Sequence, residues 1–327
     1  MADRLARVRN ACVAISLATG VAPVAAHAAE AYPSKPIRFV VNASPGGAPD
    51  ILSRALGQKI TESTGQPIVV DARPGGGGVI AGEIAARAAP DGYTVVMTGA
   101  SMFGALPVTR KRLPFDPFKD FAPITLVADA ANIVVVHPNL PAKNVAGLID
   151  YARASPLLFA SAGVLTPAHL AGELLNALVG LKMTHVAYKG AGPALVDLIS
   201  GQVQLFITSP VSAAPHLPSG RLRALATTGA KRTAAHPDLP TVAETVPGYE
   251  ITQWWGLAVP AATPAAIRAR LHEESVKALR APDLRARFAS QGAAAGGGTP
   301  QELADFMQAE LVRTRKIVQM AGIPIEQ

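Results

Sequence analysis

Cysteine is almost absent from this chain of 327 residues: the one present, Cys12, sits near the N-terminus. Aromatic residues are sparse at 5%. No apolar run after the first 30 residues is long enough to span a bilayer, which takes roughly 20 residues. Acidic residues are outnumbered, 23 against 30 basic, and the isoelectric point is 9.7. The basic residues are scattered and are not interleaved with aromatics, so a nucleic-acid partner is not expected. Chemical motifs are missing too. Gly75–Gly82 has no Lys-Ser or Lys-Thr behind its last glycine, so it is not a phosphate loop. No G-x-G-x-x-G with a suitably placed acid, no H-E-x-x-H and no G-x-S-x-G occurs. These absences point away from a cofactor, a metal centre and a catalytic nucleophile.

What is present begins with an export leader. Arg4, Arg7 and Arg9 form a basic start, residues 11–26 are uncharged and mostly apolar, and Ala26-His27-Ala28 has the small-x-small form of a cleavage site. Cleavage is expected after Ala28, leaving 1–28 as a signal peptide and placing the mature chain in a bacterial periplasm. Cys12 leaves with the leader, so disulfides, cysteine–metal sites and cysteine nucleophiles are excluded from the mature protein. The leader carries +2 of the net +7, leaving +5, a weak long-range attraction for anionic solutes.

The remaining 299 residues are long for one core and suit two. Strand-like and helix-like runs alternate, which predicts α/β architecture with mostly parallel sheets. Strands are expected at 37–41, 68–71, 94–98, 133–136, 157–160, 184–187, 205–208 and 222–226. Helices are expected at 49–63, 79–88, 145–154, 167–179, 193–200, 264–280 and 300–320. Prolines at 107, 114, 117 and 123, and a change of character near 249–260, mark two crossings. They divide the chain into one lobe of 29–128 plus 252–327 and another of 129–251, with a cleft between them. Leu170, Leu174, Leu178 and Leu181 form the expected core stripe of the 167–179 helix.

Three strand ends break into small-residue loops from which a helix starts with proline: Ser44-Pro45-Gly46-Gly47-Ala48-Pro49-Asp50, Ser161 to Pro167, and Lys189 to Pro193. Proline suits the first helical turn, where its missing N–H costs nothing. The neighbouring N–H groups lie unpaired at the positive end of the helix dipole and can hold an anion without a cationic side chain. Gly46 and Gly47 permit close backbone approach. Thr98-Gly99-Ala100-Ser101 stands at the end of another strand and offers the hydroxyls of Thr98 and Ser101, Lys189 offers a cation, and Thr208 closes a fourth strand end. His169 and Glu173 share a helix face, but a pair without a third ligand reads as packing rather than as a metal site. Trp254-Trp255 reads as a buried anchor beside the second crossing.

Ordered matches along nearly the whole mature chain give the sequence a family likeness. They include Tyr32-Pro33-Ser34-Lys35-Pro36-Ile37, Pro45-Gly46-Gly47, Arg73-Pro74-Gly75-Gly76-Gly77, Ala89-Pro90-Asp91-Gly92-Tyr93, His169-Leu170-Ala171-Gly172-Glu173 and Asp238-Leu239-Pro240-Thr241-Val242-Ala243-Glu244. The chain resembles the Bug-type periplasmic solute-binding receptors of tripartite tricarboxylate transporters. The resemblance implies a two-lobed type II periplasmic-binding-protein fold with an interdomain cleft. It also implies a monomer that captures a small organic anion, delivers it to a two-subunit membrane permease and performs no catalysis. Carried onto this chain, the carboxylate grip falls on Ser44–Ala48, Thr98–Ser101 and Val164–His169, and Asp50, Gly163, Thr166, Pro167, Ala168, Lys189 and Thr208 are counted among the candidate ligand residues.

The departures from the family pattern shape the expected ligand. Similar proteins read Pro-Pro-Gly-Gly-Ser-Thr-Asp in the first loop, whereas here Ser44 replaces the first proline and Ala48-Pro49 replace the hydroxyl pair. Val164-Leu165 stand where similar proteins are polar, and Thr208 stands where an aspartate is common. The resemblance, so modified, implies a carboxylate with an apolar or aromatic body rather than citrate. Two other readings are open. One is a receptor that presents its ligand to a membrane kinase. The other is a secreted hydrolase, which requires a histidine beside Ser101.

Overall fold

The computed structural model describes residues 32–325. The leader, its cut after Ala28 and Cys12 lie outside the described residues. In chain order the strands and helices are β1 (Ile37–Val41), α1 (Ala48–Thr64), β2 (Ile68–Ala72), α2 (Val79–Ala86), β3 (Thr94–Gly99), a π-turn (Ser101–Ala105), α3 (Leu106–Thr109), β4 (Phe121–Ala131), β5 (Ile133–Val136), α4 (Val145–Ala154), β6 (Leu158–Ser161), α5 (Pro167–Val179), β7 (Thr184–Ala187), α6 (Ala191–Ile199), β8 (Leu205–Thr208), α7 (Pro210–Ala213), β9 (Arg223–Thr227), β10 (Thr252–Pro260), α8 (Ala265–Arg280), α9 (Pro282–Ser290), β11 (Ala294–Ala295) and α10 (Pro300–Met320).

They build two sheets. The first has the order β11-β4-β10-β3-β1-β2 and the second β7-β6-β8-β5-β9. The chain leaves the first sheet at Asn132 and rejoins it at Thr252. Each crossing delivers a strand in the reverse direction, so the sheets are mixed rather than mostly parallel. β1 pairs in parallel with β2 and β3, and β6 with β7 and β8. β10 runs antiparallel to β3 and β4, and β5 to β8 and β9. β6 and β8 therefore end on the same edge of the second sheet, and β5 starts there. In the first sheet β1 and β3 end where β10 starts.

Side chains alternate along β10, sending Trp254 and Ala258 to one face and Trp255, Leu257 and Val259 to the other. On the Trp255 face lie Leu52 and Leu56 of α1, Leu271 and Leu279 of α8 and Phe288 of α9. On the Trp254 face lie Ala85 of α2, Leu106 of α3 and Leu303 and Met307 of α10, in a cluster that continues under the second sheet through Leu170 and Leu174. Trp254 packs on Phe103 and Phe306, with ring centroids 6.3 and 5.4 Å away.

The α5 stripe differs from expectation. Leu170, Leu174 and Leu175 are buried, whereas Leu178 is exposed. Eight residues at 100° each overshoot two turns by about 80°, so Leu178 swings off the face that Leu170 begins. α6 also starts two residues earlier than expected, leaving Pro193 as its third residue rather than its first.

Candidate functional site

A cavity of about 410 Å³ lies at the facing strand ends of the two sheets, within the size range of small-molecule sites. Among the described residues its lining includes Arg110 and Lys189 and no acidic side chain. Met97, Met102 and Trp255 supply apolar wall.

The first junction contributes Gly47 and Ala48, the second Gly163, Val164, Thr166, Pro167 and Ala168, and the third Lys189 and Ala191. At the start of α5, Thr166 is the N-cap. Its Oγ1 accepts from the His169 N–H at 3.4 Å and donates to the Gly163 carbonyl at 2.7 Å. Pro167 has no N–H, so Ala168 carries the one first-turn amide without an acceptor among the described residues. The Ala48 and Ala191 amides likewise have no acceptor there. Three helix starts whose first-turn amides lack an acceptor thus line one cavity with no carboxylate among its described lining residues, a setting that favours an anion.

The hydroxyl-bearing strand ends also line the cavity. Ser101 and Thr208 are buried at 8% and 4% exposure, and neither hydroxyl has a partner among the described residues. The Thr98 hydroxyl donates to the Gly256 carbonyl at 3.1 Å, leaving it able only to accept. Ala100 completes this wall.

Five expected residues do not line the cavity. Asp50 turns its carboxylate onto the Gly46 N–H at 3.1 Å and the Arg54 guanidinium at 2.8 Å. That removes both the Gly46 amide and the Asp50 charge from ligand binding. The Gly47 amide closes a turn onto the Ser44 carbonyl at 3.0 Å, although its backbone borders the cavity. Ser44 and Pro45 instead meet the third junction: Gly192 N–H donates to Ser44 Oγ at 3.4 Å. Gly190 sits so close to Ser44, at φ +110°, that a Cβ there would lie 2.1 Å from the hydroxyl oxygen. Gly77 also lies against the second junction, where a Cβ would stand 3.1 Å from the Val164 carbonyl oxygen. The strand–helix loops of the two lobes therefore touch across the cleft.

His169 lies behind the loop. Its Nδ1 accepts the Leu165 N–H at 3.2 Å, its ring stacks on His185 at 4.1 Å, and Nε2 stands 3.8 Å from Glu173. Burial, and secondarily the His185 ring, push the His169 pKa down to about 4, and burial lowers that of His185 as well. The neutral imidazole is the form that can accept from Leu165, whose φ of +63° needs such an anchor. Among the described residues no set of three potential ligands could hold a metal ion. Among the described residues no histidine hydrogen-bonds Ser101. His185 bonds Ser161 at 2.6 Å instead, and that serine is fully buried.

Sequence reasoning missed Arg110, Asn132, Ser212 and Gln253, all of which line the cavity. Asn132 is a lone polar residue directly before an apolar strand, and that is the one signal that could have marked it.

Two α/β lobes whose loops meet around an anion-favouring cavity define a periplasmic-type solute-binding protein. The chain belongs to the tripartite tricarboxylate transporter family of receptors, whose family model matches residues 52–323. It is 33% identical to BugT of Bordetella pertussis over 324 residues, covering 97% of this chain and 98% of that one. Among solved structures it resembles a Rhodopseudomonas palustris protein with adipate, with a TM-score of 0.87 and 34% identity over 90% of this chain and 99% of that one. It also resembles MatC from Rhodopseudomonas palustris with bound malate, with a TM-score of 0.83 and 31% identity over 88% and 100%.

Proposed function

We propose that this protein is an extracytoplasmic receptor that captures a small organic carboxylate with an apolar body and passes it to a two-subunit membrane permease. The observation that carries this reading is the convergence of Ala48, Ala168 and Ala191, whose amides find no acceptor among the described residues, on a cavity lined there by Lys189 and by no acid. The relative holding adipate, a diacid on a methylene chain, supports an apolar body, as do Met97, Met102 and Trp255 in the wall.

In this reading the leader is cut after Ala28, and the mature chain acts as a monomer of two lobes, 29–128 with 252–327 and 129–251. The carboxylate bridges the helix starts of both lobes, so it binds the closed form more tightly than the open one and shifts the population toward closure. The permease reads the closed form. The chain's residues bind and orient the solute, and no bond is made or broken.

Calorimetric titration of the mature protein with hexanoate, adipate, benzoate, malate and citrate tests the reading. At least one of the apolar-bodied acids is expected to bind more tightly than citrate. Tight binding of citrate or malate with none of the others would contradict it.

A further inference from the structure

The helix starts account for the carboxylate, but the cavity has other polar groups that this leaves without work. Asn132 and Ser212 both line it and are buried, at 1% and 3% exposure. Each keeps a buried polar atom with no partner among the described residues, Asn132 Nδ2 and Ser212 Oγ. Asn132 Oδ1 accepts from Gln253 Nε2. Turning both amides over would exchange their roles and strand the Asn132 oxygen instead, so in either orientation one polar atom of Asn132 is unpaired. Such atoms are costly to bury and are normally satisfied by protein or by something bound.

Strand order places these groups away from the anion grip. In the second sheet β8 separates β6 from β5, so Asn132, just ahead of β5, stands two strand spacings, about 10 Å, from the junction that starts α5. Thr208, paired with Ile133, and Ser212 on α7 come from the strand between. In the first sheet β3 separates β1 from β10, so Gln253 is two spacings from the junction that starts α1. None of Asn132, Thr208, Ser212 and Gln253 carries a charge. A second carboxylate would find no cation among these four residues. A hydroxyl, carbonyl or amide would find both donors and acceptors.

We propose that Asn132 and Ser212, with Thr208 and Gln253, form a second polar pole that binds an uncharged hydroxyl, carbonyl or amide group carried by the ligand at the end remote from its carboxylate. The preferred solute is then a monocarboxylate with an apolar middle and a neutral polar tail. This inference rests on the carboxylate reading above and narrows it.

The experiment is a calorimetric titration with four probes of one chain length: hexanoate, 6-hydroxyhexanoate, the monoamide of adipate, and 1,6-hexanediol. It is run on the mature wild-type protein and on Ser212→Ala and Asn132→Leu, with thermal melting to show that each variant is folded. The wild type is expected to bind the hydroxy acid or the monoamide about tenfold or more tightly than hexanoate, because a buried site built for a hydrogen-bonding group discriminates against its absence. Loss of that ratio in a folded variant, with hexanoate affinity held within about threefold, supports the pole. If Asn132→Leu fails to fold, Ser212→Ala decides. A wild-type ratio near one, or an unchanged ratio in every folded variant, overturns the inference while leaving the carboxylate reading intact. Failure of all three acids to bind, with or without binding of the diol, overturns the carboxylate reading itself.

Discussion

At the level of single residues, the junction loops show why a sequence can name the right stretch and the wrong atoms. Gly46 was expected to offer its amide to a ligand, yet Asp50 takes it four residues on. Which of several adjacent N–H groups stays unpaired depends on where one carboxylate turns, and composition does not encode that. Ala168 could be read in advance because Pro167 and the Thr166 cap leave one amide in that turn without a partner. Ser101 combines burial with an unpartnered hydroxyl on the cavity wall. Ser101→Ala should weaken carboxylate binding by about 1 kcal/mol while leaving the melting temperature within a degree or two, as calorimetry and thermal denaturation would show. Unchanged affinity would remove Ser101 from the grip. His169 makes a pH prediction. Its folded pKa, about 4, lies below the ordinary 6.5. The unfolded chain therefore takes up a proton between pH 6.5 and 4 that the folded chain refuses. The stability this group contributes is whole above pH 6.5 and is lost as pH falls through that window, by up to roughly 3 kcal/mol. Denaturant titrations at pH 7 and 4.5 should show His169→Gln losing part of the acid sensitivity of the wild type. Equal acid sensitivity in both would refute the assignment.

At the level of elements, most strands and helices were legible because their apolar runs are short, bounded and flanked by glycine or proline. β4 and β10 were not. Prolines up to Pro123 hid the start of β4, 249–260 read as a crossing with Trp254-Trp255 as a buried anchor beside it, and the two strands pair with each other across more than 100 residues of sequence. β11 has two residues and could not carry a pattern. α9 was hidden behind Pro282, which starts a new helix directly after α8 rather than ending the helical region. α5 is the element on which the site depends most. Thr166→Ala removes the hydroxyl that caps it and should cost about 1 kcal/mol of stability. Carboxylate affinity should fall several-fold with it as the 163–166 loop loosens, whereas Thr166→Ser should retain both. Chemical denaturation alongside titration checks this, and an alanine variant as stable as wild type would contradict it. Gly172 on the same helix lies so close to Phe159 that a Cβ would fall 2.1 Å from the ring. Gly172→Ala should therefore destabilise the second sheet by about 1–3 kcal/mol.

At the scale of the whole molecule, the mixed sheets follow from the two crossings, and the crossings bring strand ends from both halves to one cavity. The two-lobed architecture could be inferred from alternating elements and two changes of character along the chain. The contact of Ser44 and Pro45 with Gly190 and Gly192 could not, because it joins residues some 148 positions apart. That contact makes closure testable. Gly190→Val should keep the loops apart, lower affinity about tenfold or more, and hold the radius of gyration at its ligand-free value when ligand saturates, as read by small-angle X-ray scattering. Compaction equal to wild type would show that the loops need not meet.

The most direct measurement follows the amide protons themselves. Residues 29–327, labelled with nitrogen-15, would be titrated with whichever of hexanoate, 6-hydroxyhexanoate and adipate binds most tightly, and their amide resonances recorded. Saturable downfield shifts at Ala48, Ala168 and Ala191, larger than those of amides outside the cleft, are the expected result. Saturation by the acid with those three resonances unmoved, or no binding by any of the three acids, would contradict capture of a carboxylate by main-chain amides at helix starts.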